Sequence, residues 1–344
     1  MARRAFISGI SGQDGAYLSK LLLEKGYEVH GGVRRTGGSA SSRLEELGVV
    51  DAVVLHDFDV LDLAGVQRVL ERVAPDEIYN LAAQSFVGAS FEQPIHSADV
   101  SALGAMRLLE CLRQAKAGSR FYQASTSEMF GSADKAPQSE STPFNPRSPY
   151  GIAKLFAHLS TVNYREAHGL YACSGILFNH ESPLRGVEFV TRQISLGLAK
   201  IKYGRQPVLE LGNLGARRDW GFAGDYVEGM WRILQQPEPD DFVLATGRTT
   251  SIREFAEIVA KTHGWQLAWR GEGLSEEGFD SASGQTLVRV NPANIRRMDV
   301  AETVGDASKA HGTLGWRHRL ELEGLAEMMA EADARRVRDG ARYS

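Results

Sequence analysis

A doubly wound parallel α/β sheet is the fold that this sequence predicts, and three observations carry the prediction. Short apolar runs alternate with helical patterns through the first half of the chain. Runs such as "VVL" and "YACSGILF" are apolar on consecutive residues, as strands covered on both faces are. A glycine-rich turn, "GISGQDG", stands between the first strand pattern and the first helix pattern.

The elements follow in order. "RRAFISG" reads as a strand. "GAYLSKLLLEKG" reads as a helix, with Leu18, Leu21 and Leu22 on one face and Gly26 past its end. "YEVHGGV" and "DAVVLHDFDV" are the next strands, the second followed by the helical "LAGVQRVLERVAP". The strand "EIYNLA", a long helix through "SALGAMRLLECLRQ" and the strand "RFYQAS" complete the series. Strand, helix and strand in repetition imply right-handed crossovers, so helices cover both faces. Beyond Phe178 the rhythm loosens, although "SIREFAEIVAKTHG" and "LEGLAEMMAEADARRVRDG" are helical. The Gly-, Ser- and acid-rich stretch 270–285 reads as an exposed, mobile insertion.

Bulk properties exclude some classes. The chain has 344 residues, 43% hydrophobic and 24% charged, with a formal net charge of −4. That balance speaks against a nucleic-acid partner, so an anionic ligand must be met by locally placed arginines. Cys111 and Cys173 read as buried free thiols, and the nine histidines form no metal-spaced cluster. "MARRAFISGI" starts a strand at once, and no stretch reaches the ~18 apolar residues of a membrane span. The expectation is a soluble, cytoplasmic protein without membrane partners.

Gly9, Gly12 and Gly15 follow the first strand and open the helix. Such glycines allow a tight turn and let backbone N–H groups approach a pyrophosphate at a helix N-terminus, as in Rossmann-type domains. Arg34 and Arg35 stand near the end of the second strand, where an acid would bond the adenosine ribose. Two guanidiniums suit a 2′-phosphate, which points to NADP. Asp59, Val60 and the run Leu81, Ala82, Ala83, Gln84, Ser85 end strands on the same side of the sheet. Residues 1–178 are therefore expected to form the cofactor domain, with a return segment at about 212–245, and 179–344 mostly a smaller α/β substrate domain.

"SPYGIAK" sets Tyr150 and Lys154 one helical turn apart on one face. An ammonium beside a phenol lowers its pKa and makes a base for a sugar hydroxyl. With the glycine turn and the Thr-bearing strand end, this set resembles the extended short-chain dehydrogenase/reductase superfamily, whose members work on nucleotide sugars. Simple redox at a carbinol carbon needs a hydride acceptor and one base. Glu128, two places after Thr126, supplies a second. Once a sugar is a 4-ketone its C5–H is acidic, and a carboxylate there can remove that proton and help expel the C6 hydroxyl as water. Such a base is worth about 10²–10⁴-fold, so Glu128 is the mark of a dehydratase. Thr126 is placed to bond the 4-oxygen, with Ser127 beside it.

"NLAAQSFVGAS", "FYQASTSEMFG", "PRSPYGIAK", "GILFNHESPLRG", "EFVTRQI" and "RRDWGFAGDYVEGMW" run in the order of the GDP-mannose 4,6-dehydratase family, which the chain resembles through most of its length. The resemblance implies conversion of GDP-mannose to GDP-4-dehydro-6-deoxymannose with NADP recycled at each turnover. It places the family's catalytic set on Thr126, Glu128, Tyr150 and Lys154. Its cofactor positions fall on Gly9, Ile10, Ser11, Gly12, Gln13, Asp14 and Gly15, and on Arg34, Asp59, Val60, Leu81 to Ser85, Lys154, His180 and Arg185. GDP-sugar positions fall on Asn179, Val190, Arg192, Arg218 and Arg296, joined by Ser85, Ser127 and Asp299. Family members pair through the basic loop near Arg35 to Arg43, so a homotetramer, or else a dimer, is expected.

Four departures bear on affinity. His96 stands where the family has an aromatic Tyr beside the cofactor, and Gln193 replaces a Lys. Arg297 replaces a Pro and Asp299 a longer Glu, and the 270–285 stretch lengthens a loop. The alternatives are a dehydratase of another GDP-sugar, such as a GDP-manno-heptose, or an epimerase or reductase on the same fold.

Overall fold

The computed structural model describes residues 2–34, 41–115, 118–132, 136–295, 298, 300 and 302–341. Five strand-and-helix units open the chain: β1 (Arg4–Ser8) with α1 (Gln13–Glu24), β2 (Glu28–Val33) with the short α2 (Ser42–Glu46), and β3 (Val53–Asp57) with α3 (Leu63–Val73). β4 (Glu77–Asn80) precedes α4 (Val87–Glu92), α5 (Pro94–Ala98) and α6 (Gly104–Ala115), and β5 (Arg120–Thr126) precedes α7 (Pro149–His168). The helix expected before Arg120 opens with a π-helical turn at Asp99–Leu103 and continues as α6.

β6 (Ala172–Leu177) is followed by β7 (Asn179–Glu181), α8 (Val190–Lys202), β8 (Leu209–Leu211), β9 (Arg217–Phe222), α9 (Ala223–Leu234) and β10 (Asp241–Leu244). Then come β11 (Thr249–Ser251), α10 (Ile252–Thr262), β12 (Leu267–Arg270), β13 (Glu277–Asp280), β14 (Thr286–Val290), α11 (Ser308–Leu314) and α12 (Leu322–Asp339).

The seven-stranded sheet runs β10-β6-β5-β4-β1-β2-β3, every neighbouring pair parallel. Its order reverses between β1 and β4, which opens a crevice beyond their C-terminal ends. Consecutive apolar residues are both buried because each face has its own core. Ile7, Tyr79 and Tyr122 enter one cluster with Leu18, Leu22 and Ile233. Phe6, Ile78 and Phe121 enter the other with Val66, Leu70 and Leu108. Cys111 and Cys173 are buried and free.

β10 returns the chain to the edge of the large sheet beside β6. A three-stranded sheet (β11-β9-β7), a four-stranded sheet (β12-β13-β14-β8) and helices α8, α10 and α12 surround a third core of Ile194, Leu198, Trp220, Phe255 and Met329.

Two expectations are corrected. "VVL" does not lie in a strand covered on both faces: β3 is an edge strand, and Val54 and Leu55 are 46% and 38% exposed. The 270–285 stretch is exposed at 270–275 and 281–285, as expected, but its middle is a paired strand. β13 pairs with β12 and β14. Gly278 packs against Trp269, where a Cβ would meet the indole at 2.9 Å. Glu277 ties the strands through Arg270 and Arg289 at 2.9 and 2.8 Å. The Gly- and Ser-rich composition belongs to the turns between these strands.

Candidate active site

The glycine turn is shaped by close approach. Gly9 has φ +76°, and a Cβ there would stand 2.9 Å from the backbone nitrogen of Ala82. A Cβ on Gly15 would stand 2.5 Å from the carbonyl oxygen of Gly9. Only glycines let α1 start this close to the end of β4. Gly12, the N-cap of α1, offers no side-chain cap, so the helix N-terminus keeps its first N–H groups for a ligand. This cradle fits the pyrophosphate of a dinucleotide. Ile10 contributes backbone alone, since its side chain is in the core. Beneath the cradle a polar ladder joins the strand ends: Ser8 Oγ donates to Asn80 Oδ1 at 2.6 Å and Asn80 Nδ2 to Gln123 Oε1 at 2.8 Å.

β5 ends at Thr126, whose Oγ1 accepts from the backbone N–H of Glu128 at 3.3 Å as the chain turns into a short 3₁₀ segment. α7 starts with Ser148 as N-cap, its Oγ accepting from Gly151 N at 3.0 Å, and Pro149 at the first helical position. Tyr150 and Lys154 are both buried on the face turned to β5. Tyr150 hydrogen-bonds with Thr126.

Lys154 does not hold the phenol low here, contrary to the expectation. Burial pushes the Tyr150 phenol well up; the Thr126 hydrogen bond opposes that and the Glu128 charge adds to it. The Lys154 ammonium donates to the carbonyl of Ala124 at 2.8 Å and lies 5.9 Å from the Tyr150 ring centre. Its own pKa is drawn down to about 8 by burial, against the pull of Asp14.

A cleft of about 670 Å³ collects most of the expected side chains. Asp14, Leu81, Ala83 and Ser85 line it with Thr126, Ser127, Glu128, Tyr150 and Lys154, and facing them are Asn179, His180, Arg185, Val190 and Arg218. The 180–184 segment is fastened across the glycine turn. His180 Nε2 lies 2.8 Å from Asp14 Oδ2, Gln13 Nε2 donates to the His180 carbonyl at 3.0 Å, and Ser182 Oγ donates to Gln13 Oε1 at 2.8 Å. Arg43 Nε donates to the Leu184 carbonyl at 2.8 Å and Nη1 to that of Ser11 at 3.2 Å. Arg43 is thus engaged within its own chain.

Other expected residues stand apart. Arg192 is corrected: fully buried, it bonds Asp333 through Nε at 2.8 and 3.0 Å and the carbonyls of Pro183 and Arg185 through Nη1. It cannot fork a diphosphate in the cleft. His96 is exposed on α5 and is not part of the cleft wall. Gln84 spends its side chain on Phe86 O and Ser97 Oγ. Asp59 and Val60 follow β3 outside the cleft wall, and Arg34 is exposed after β2. Arg35, Arg296, Arg297 and Asp299 lie outside the described residues. The sequence reading missed Phe86, Glu181, Glu188, Phe189, Thr191 and Trp220, all in the wall. Phe86 and Phe189 directly adjoin Ser85 and Val190, the nearest signal for them.

The family model described as GDP-mannose 4,6 dehydratase matches residues 6–329. The chain is 49% identical to the GDP-mannose 4,6-dehydratase of Sinorhizobium fredii, covering 96% of each chain. It is 46% identical to that of Vibrio cholerae, covering 96% of this chain and 94% of the relative. Among solved structures, UDP-glucose 4-epimerase from Bifidobacterium longum matches with a TM-score of 0.81 at 21% identity, covering 96% and 98% of the two chains. The dTDP-glucose 4,6-dehydratase from Bacillus anthracis matches at 0.79 and 17%, covering 96% of each. Those two likenesses concern the fold. The family model and the sequence matches over nearly the whole length close the question of descent: the chain belongs to the GDP-mannose 4,6-dehydratase family.

Proposed function

We propose that the cleft converts GDP-α-D-mannose to GDP-4-dehydro-6-deoxy-α-D-mannose and water, with NADP as resident cofactor. The observation that carries this reading is the convergence of Thr126, Glu128 and Tyr150 on the wall of a cleft that Asp14, of the glycine turn, also lines. When bound, the nicotinamide supplies hydride acceptance at the sugar C4 and gives the hydride back at C6, so no cofactor is consumed. Tyr150 takes the O4 proton as its phenolate, the form that the positive charge of a bound nicotinamide together with Lys154 would favour over the neutral phenol of the empty cleft. Thr126, hydrogen-bonded to Tyr150, aligns that oxygen. Glu128 then removes the C5 proton and passes one to the departing C6 hydroxyl, which leaves as water; a proton returned to C5 closes the balance. Arg34, and the absence of an acid at the end of β2, support NADP.

Arg218, 8% exposed and donating to the carbonyls of Arg217 and Val300, supports a diphosphate site on the far wall. Self-association is part of the proposal, supported by an exposed apolar stripe of Ile152, Phe156 and Leu159 on α7. Among the described residues no helix is long and apolar enough to cross a membrane.

Mass spectrometry of the purified protein incubated with GDP-mannose and no added cofactor tests the reading. Loss of one water from the sugar nucleotide is expected. Unchanged GDP-mannose from folded, cofactor-loaded protein would overturn it.

A further inference from the structure

Glu181 has no part in the chemistry above, yet it is 1% exposed at the end of β7. Its Oε2 lies 3.1 Å from Arg185 Nε and accepts a 2.6 Å hydrogen bond from Thr191 Oγ1. Thr191 sits in the first turn of α8, a 13-residue helix with no side-chain cap at its N-terminus. The Arg185 guanidinium lies 3.5 Å from the ring centre of Phe189, which meets Phe86 edge-on at 5.9 Å. One buried carboxylate thus holds a cleft guanidinium on one side and the start of a cleft helix on the other.

The geometry narrows what the carboxylate does. Nε is not aligned as a hydrogen-bond donor, so the pair is electrostatic rather than a fork. Among the described residues no hydrogen bond occupies the terminal nitrogens of Arg185. Phe189 backs the guanidinium and Glu181 holds its Nε side, which leaves the fork of terminal nitrogens for a ligand of matching shape. Two oxygens of a diphosphate match that fork in spacing and charge. Because the same Glu181 oxygen meets Thr191, movement of Arg185 and movement of the α8 start are linked.

We infer that Glu181 is a positioning residue that aims Arg185 and seats the first turn of α8 together, coupling diphosphate binding to the set of that helix. The inference rests on the reading of the cleft as the shared site of a dinucleotide and a nucleotide sugar. Its ligand class is a nucleoside diphosphate, and NADP and GDP separate the two sources.

The experiment titrates NADP into cofactor-stripped protein and GDP into cofactor-loaded protein, calorimetrically and for wild type, E181Q, R185Q and E181Q/R185Q, with kcat and KM for GDP-mannose measured alongside. Gln keeps an oxygen for Thr191 and loses the charge that aims Arg185. E181Q is expected to weaken NADP or GDP by about 5- to 150-fold, the span of ordinary coupling energies. KM should change more than kcat, and E181Q should add little once Arg185 is gone. A loss confined to NADP places the diphosphate on the cofactor, and one confined to GDP places it on the substrate. Affinities unchanged in E181Q, or losses fully additive with R185Q, would overturn the inference. Wild type that dehydrates GDP-mannose while E181Q behaves identically sinks the inference alone; wild type that binds neither ligand sinks it and the proposed function together. Should E181Q fail to fold, T191V cuts the helix limb only and must weaken GDP or NADP for the inference to stand.

Discussion

A Cβ on Gly151 would stand 2.8 Å from the carbonyl oxygen of Glu128, so the first turn of α7 lies directly on the chain segment that carries the carboxylate. Glycine at this place lets Tyr150 and Glu128 face one substrate. Because that contact is with backbone, G151A must push the helix away or turn the 3₁₀ segment. A displacement of order 1 Å costs about 10²-fold in rate. The expectation is a loss of that size in kcat with NADP affinity nearly unchanged. Steady-state kinetics and a binding titration check it; full activity in G151A would mean that the helix and carboxylate can shift without consequence.

Glu128 and Tyr150 divide the proton work, and substitution should divide the reaction. E128Q keeps size and removes the base for C5. Water loss is expected to fall by about 10²–10⁴-fold, while hydride abstraction at C4 persists. Mass spectrometry, with nicotinamide absorbance followed in parallel, would then find reduced cofactor accumulating on the enzyme. E128Q that dehydrates at the wild-type rate would remove the carboxylate from the mechanism.

The Asp14–His180 pair predicts a pH dependence. Burial alone would raise Asp14, but the His180 charge and hydrogen bonds from His180 and Gln13 outweigh it, so Asp14 titrates below its ordinary value. Burial would lower His180, and Asp14 outweighs that, so His180 titrates above its own. The His180 contribution is complete below its ordinary pKa and fades as pH rises through the raised value. The Asp14 contribution is complete above its ordinary pKa and fades as pH falls through the lowered one. Wild type should therefore exceed H180Q in stability most between about pH 4 and about pH 6.5, with the difference shrinking on the alkaline side. Urea melts of both proteins from about pH 4 to well above the raised His180 value decide it: a difference that stays constant on the alkaline side would mean that the pair is held by shape rather than charge.

The parts of this fold that were legible in sequence are those set by local periodicity and by backbone chemistry. Leu18 and Leu22 marked one helix face, and Gly9 and Gly15 marked a turn that only glycine can make. Tyr150 and Lys154 were legible because helical spacing fixes their common side. What stayed hidden depends on neighbours remote in sequence. β3 has the composition of a central strand but sits at the edge, because no strand pairs beyond it. Gly278 looked like loop composition, whereas it is the gap that receives Trp269 from the next strand. Arg192 looked like a ligand for phosphate because its partner, Asp333, is on α12, at the other end of the chain. Glu181 drew no attention, since its worth lies in touching Arg185 and Thr191 at once.

Arg192 and Asp333 make a prediction that separates architecture from binding. Both side chains are fully buried, and Asp333 also accepts from Ser195 Oγ at 2.6 Å and Arg336 Nη1 at 2.8 Å. Removing one partner of a buried ion pair costs about 3–5 kcal/mol, and the remaining bonds to Asp333 place R192M toward the lower end. R192M should melt well below wild type and yet bind GDP normally in its folded fraction. Differential scanning calorimetry and a GDP titration below the transition measure both. Unaltered stability with lost GDP affinity would return Arg192 to the substrate site.

The last prediction concerns the outer face of α7. Ile152, Phe156 and Leu159 are 59%, 40% and 52% exposed, and their spacing puts them on one face of the helix. Ile95 on the neighbouring α5, 82% exposed, and Leu103, 43% exposed, are further large apolar side chains left in solvent. The catalytic residues point the other way from the same helix, toward β5, so this face can be covered without blocking the cleft. The prediction is a two-fold contact in which each α7 lies against its copy. I152E/F156E places two carboxylates in that contact, where neither can keep its water. Light scattering should find wild type at a multiple of the 344-residue chain mass and the variant at a smaller assembly. Wild type that is monomeric, or a variant whose assembly is unchanged, would assign the stripe no part in self-association.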